Sequence, residues 1–135
     1  MSLNEKQKQA LGVTLRILET TLDDIDALLQ RDREGTLYAI RTRIPPYKSA
    51  ELRRLSADAR TLVAELAGRY RLAKEERDGA RIISGLLSAT WEALEDTHPQ
   101  KMGRYGPVAP LLASELGPAI ERLIELVLAM ERLTR

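Results

Sequence analysis

The spacing of leucines in this 135-residue chain predicts an all-α protein, an antiparallel four-helix bundle formed as a single domain over residues 1–135. Three observations carry that expectation. Apolar residues recur four and three apart over long stretches, the spacing that draws one stripe along a helix. Phenylalanine is absent and aromatics make up 4% of residues, so leucine has to build the core. Runs of β-branched residues are scarce, which disfavours sheet. The chain is long enough for a real core, and its 44% hydrophobic and 30% charged residues are a globular composition.

The first segment runs from about residue 4 to 33. Leu11, Leu15, Leu18, Leu22, Ile25 and Leu29 form its seam, and Gly35 is a natural stop. An irregular segment near 36–47 follows. Tyr38, Ile40, Thr42 and Ile44 alternate with period two ahead of Pro45–Pro46, which fits a short extended stretch or a frayed helical turn. A lone strand here has no evident partner in the chain, unless a second copy supplies one.

The second segment starts near Ser49, a good N-cap, and continues through Leu52, Leu55, Ala59, Leu62 and Leu66. Its seam then meets Arg69 and Glu76 before resuming at Ile83, Leu87 and Leu94. One helix over 49–96 is possible on this pattern. Two helices are preferred, with a turn at 74–79, because the seam turns polar there and Asp78–Gly79 is a turn dipeptide. A long crossover loop near 98–110, HPQKMGRYGPVAP, joins the third segment to the last. Met102 and Val108 are its expected anchors on the bundle. In the final segment, 110–134, Pro118 either kinks the helix or opens it. The apolar residues beyond it cover more than one face. Such a helix is central, or it buries a second face on another chain.

The chemistry the sequence excludes is broad. With no cysteine there is no disulfide, thiolate site or cysteine nucleophile. No serine-histidine-acid set, nucleophile elbow or phosphate loop is identifiable. Glu95 and His98 make one Glu-x-x-His pair, half of a di-metal carboxylate pattern, but His98 is the only histidine. It reads more simply as the end of a helix. The acidic group Glu19, Asp23, Asp24 and Asp26 could offer oxygen ligands to a hard cation, but it reads first as a solvated or ion-paired face. No cofactor is expected, and no enzyme.

Net charge is only +1, yet it is unevenly spread. Residues 19–34 are acidic and the stretch 41–81 is rich in arginine. Intramolecular pairing explains this most simply. The alternative is a nucleic-acid-associated accessory protein that sets Arg41, Arg43, Arg53 and Arg54 against phosphates. In the crossover loop, Lys101, Arg104 and Tyr105 form a candidate partner-binding surface. On the last helix, Leu123, Leu126, Val127 and Met130 form a candidate dimer face. The expectation is therefore a small interaction or scaffold module, a homodimer in the cytoplasm with a protein partner possible, nucleic acid not favoured and no membrane association. No apolar run spans a bilayer, and the first residues lack the apolar core of a signal peptide.

Overall fold

The computed structural model describes residues 2–135 and is mostly helical. Its elements are α1 (Glu5–Gln30), β1 (Arg33–Glu34), β2 (Ala39–Ile40), α2 (Pro46–Arg69), α3 (Gly79–Asp96), α4 (Pro99–Met102) and α5 (Pro110–Arg132). The chain divides into two compact units, Met1–Glu75 and Glu76–Arg135.

In the first unit α1 packs on α2. Asn4 opens α1 with a capping box. Its side chain accepts the Gln7 N–H, and the Gln7 side chain accepts the Asn4 N–H, so two otherwise unpaired donors are satisfied. Leu22 and Val63 are the buried apolar residues of this unit, with Ser56 between the helices. The helix ends at Gln30 rather than near Gly35. Gly35 instead sits in a hairpin turn, where its N–H donates to the Tyr38 carbonyl at 2.9 Å and the Tyr38 ring covers it so closely that a Cβ would collide.

That hairpin corrects the expectation of a strand without a partner. Arg33 pairs with Ile40 and Glu34 with Ala39, antiparallel. The partner was missed because Arg33 and Glu34 are charged and carry no strand signature. Thr42 ties the returning strand down, donating through Oγ1 to the Leu28 carbonyl and through its N–H to Asp32. The helix after it also begins earlier than Ser49. Pro46 takes the first helical position, where a missing N–H costs nothing and the fixed φ suits the helix.

The stretch 49–96 is two helices, as preferred, and the break between them, residues 70–78, takes in most of the expected 74–79 but begins earlier. After α2, Arg71 adopts a left-handed conformation (φ 52°). Its N–H donates to the Gly68 carbonyl, and the Leu72 N–H donates to that of Ala67. This is a Schellman ending with arginine where glycine is usual, so no sequence signal marked it. Asp78–Gly79 turns out to start α3, because the Asp78 side chain accepts the Ala80 N–H and caps it.

In the second unit α3 packs along α5, and α4 touches both. Ile120 and Val127 are its buried apolar residues, with Pro99 of α4 against Gly117 of α5. The expected long loop at 98–110 is therefore partly ordered as α4 and a 3-10 turn at Gly103–Tyr105. Met102 and Val108 are half-buried, in keeping with their anchoring role.

Pro118 lies inside α5 and does not open it. It offers no N–H to the Ser114 carbonyl, and Gly117 before it carries no Cβ to meet the proline ring. Pro118 is exposed, so removing its ring empties no core. Pro118→Ala should restore the hydrogen bond and stabilise the protein by about 1–2 kcal/mol, less than the full helix-interior penalty because the unfolded chain also gains freedom. A urea midpoint at or below wild type would refute this.

Candidate interaction surfaces

Between α1 and α2 the expected acidic cluster meets the arginines. Arg60 donates to Asp26 at 2.7 Å and to Asp23 at 2.9 Å, and the Ser56 hydroxyl donates to Asp26 at 3.2 Å. Arg16 pairs with Glu75 at 3.1 Å. Asp26, Ser56 and Arg60, with Gln30, Arg53 and Ala57, line a shallow groove. The hydrogen bond from Arg60 holds the Asp26 carboxyl below the usual aspartate range, helped by Ser56. A depressed carboxyl stabilises the fold above its unfolded pKa, near 4, and loses that contribution as pH falls through its lowered value. Arg60→Met should lower the melting temperature by a few degrees at neutral pH, and the gap to wild type should close below about pH 4. A gap that stays constant with pH would show the loss to be one of packing alone.

Three of the four arginines considered for polyanion contact have partners within the first unit. Arg41 pairs with Glu34 at 2.6 Å. Arg53 donates to the Leu29 carbonyl at 2.7 Å, where it meets the unpaired acceptors at the end of α1. Arg54 is held by Glu51 and by Asp58. Arg43 is exposed and has no side-chain partner among the described residues.

His98 is engaged in structure. Its Nδ1 accepts the Gln100 N–H and caps α4, which leaves Nε2 to donate to Glu121 at 3.2 Å. Glu95 is not part of this arrangement. Among the described residues no three potential metal-ligating side chains converge. Lys101 and Arg104 both turn to Asp96, at 3.9 and 3.4 Å, and Arg104 lies over the Tyr105 ring. The two cations of the loop thus share one carboxylate, and Tyr105 stays exposed.

The α5 candidates separate into two groups. Val127 is buried within the unit at 7% exposure, whereas Leu123, Leu126 and Met130 are exposed at 41–48%. At about 100° per residue, Ile120, Ile124 and Val127 share one side, and Leu123, Leu126 and Met130 another. Val127 was grouped with the exposed set because a helix apolar on two sides does not say which side meets its own chain. The exposed apolar side of α3 was not singled out from the sequence. Ile82, Ile83 and Leu86 are more than half exposed, with Leu86 at 66%. Ile83, expected in the seam, thus stands outside it; the adjacent apolar pairs Ile82–Ile83 and Leu86–Leu87 were the available signal, since neighbouring apolar residues cannot all face one partner.

No protein-family model, curated protein or solved structure matches this chain. Among the described residues, no helix is long and apolar enough to cross a membrane.

Proposed function

We propose that the protein is a non-enzymatic helical interaction module that forms a homodimer, a second copy covering the exposed α3–α5 face. The carrying observation is the second apolar stripe on both helices: Ile82, Ile83 and Leu86 on α3, and Leu123, Leu126 and Met130 on α5. On each helix this stripe lies roughly 90–120° from the more covered side, half-buried Ser84 and Leu87 on α3 and buried Ile120 and Val127 on α5, in the same rotational sense. Ser84 meets Glu131 and His98 meets Glu121, so numbers rise along α3 as they fall along α5. For antiparallel helices, equal rotation places both stripes on one side of the pair.

With Leu112 and Leu133 the face exposes on the order of 800 Å² of apolar surface, what one partner contributes to a standard interface and more than a monomer's usual patch. From Arg81 to Ala93 the charged residues of α3, Arg81 and Glu92, lie outside the stripe. Two copies can therefore meet along this part of α3 about a two-fold axis without opposing like charges. Two helix pairs joined in this way complete an antiparallel four-helix bundle between copies.

Light scattering on the purified chain tests the reading. A mass of about 30 kDa, twice the chain's 15.2 kDa, is expected at micromolar concentration. A concentration-independent monomer would overturn it and point to cover from within the same chain.

A further inference from the structure

The hairpin of the first unit carries a second surface, independent of the proposed dimer. Thr36 and Leu37 occupy its tip, inside the pair closed by Gly35 and Tyr38. Leu37 is 97% exposed, more than any other large apolar residue described, and the half-exposed Tyr38 ring follows it. A single exposed leucine is ordinary. Its surroundings are less so. Four arginines flank the tip, at 31, 33, 41 and 43, against two acids. Both acids are engaged, Asp32 by the Thr42 N–H and Glu34 by Arg41. Arg31, Arg33 and Arg43 are exposed and have no side-chain partner among the described residues.

We infer that this tip docks on an anionic lipid surface, with Leu37 and Tyr38 entering the interface and the arginines meeting headgroups. The placement of the arginines favours this partner. Side chains alternate across a strand, so Arg31 and Arg33 lie on one face of the hairpin and Arg41 and Arg43 on the other. Asp32 and Glu34 share the face of Arg41 and Arg43, and Arg41 is paired with Glu34, so the collar of unpaired arginines is Arg31 and Arg33 on one face and Arg43 on the other. A membrane plane can meet all three while it takes up the tip, whereas a nucleic acid gives the exposed leucine nothing to do. The distances also agree. Arg33 lies about 10–13 Å of backbone from Leu37, which suits a tip buried roughly 5–10 Å with long arginine side chains reaching the headgroups. Arg31 and Arg43 lie further back but within a Debye length of the surface. Tyrosine is a residue of that interface.

Co-sedimentation tests the inference, using vesicles of phosphatidylcholine alone and vesicles with a quarter replaced by phosphatidylglycerol. The expected result is binding to the anionic vesicles only, weakened by salt. Leu37→Asp should reduce that binding by about tenfold to hundredfold, the equivalent of losing one buried leucine. Arg31→Gln, Arg33→Gln and Arg43→Gln together should reduce it at least as much. The tip makes no core contact, so circular dichroism should show Leu37→Asp folded as wild type. Absent binding, equal binding to both vesicle types, or anionic binding indifferent to Leu37→Asp would each overturn the inference. So would displacement from the vesicles by a single-stranded oligonucleotide whose own binding survives Leu37→Asp, an outcome that assigns the collar to nucleic acid.

Discussion

Leu126→Glu with Met130→Glu should convert the dimer to a monomer of 15.2 kDa while leaving the helical circular dichroism signal in place. Both side chains are exposed, at 41% and 48%, so the new carboxylates stay hydrated in the single chain and cost its fold little. In the proposed dimer they would sit within the covered apolar face. Burying an unpaired carboxylate costs several kcal/mol, and two per chain give four per interface. Even a nanomolar dimer does not survive a loss of that size at micromolar concentration, because each 1.4 kcal/mol is tenfold in affinity. Leu86→Glu, from the α3 half of the face, should act in the same direction. A doubly substituted protein that still elutes as a dimer would remove α5 from the interface. A mass unchanged by all three substitutions would remove the face.

How much of this was legible in the sequence depends on which kind of signal each feature used. Helix existence rests on apolar periodicity summed over many residues, so α1, α2, α3 and α5 were all readable. Boundaries rest on one or two residues, and those misled where another residue took the job. Gly35 looked like a helix stop but serves a hairpin, and the actual stop after α2 is Arg71, a residue with no preference for left-handed backbone. Asp78–Gly79 looked like a turn and proved a cap, since an aspartate before a helix and an aspartate in a turn use the same side-chain acceptor. The arginine-rich stretch was visible as composition. Its pairing was not, because Arg60 finds Asp23 and Asp26 more than thirty residues away, a separation no local pattern reports. The same limit explains the mixed α5 candidates: periodicity finds that a helix has two apolar sides and leaves open which of them the chain covers.

Val127→Asp separates these two sides most sharply. Val127 is one residue from Leu126 and 7% exposed, in the seam where α5 meets α3. Ile120 and Ile124, which share its side of α5, carry no charge that could pair with an aspartate there. Ser84 is already bonded to Glu131, one turn further along. The substituted carboxylate is left to ionise in an apolar contact or to hold a proton at neutral pH, and either choice costs several kcal/mol. The second unit has little to set against that loss. Its buried apolar side chains are few, Ile120 and Val127 chief among them, and whole-domain stabilities are only about 5–15 kcal/mol. The expected outcome is loss of the α3–α5 helical signal and of cooperative melting for this unit, at every protein concentration. Leu126→Glu should instead give a folded chain whose mass alone changes. Charge on adjacent residues would thus unfold the unit in one case and dissociate the pair in the other. If Val127→Asp yields a folded monomer, Val127 belongs to the interface between copies, and the packing of α3 on α5 is not the core of this unit.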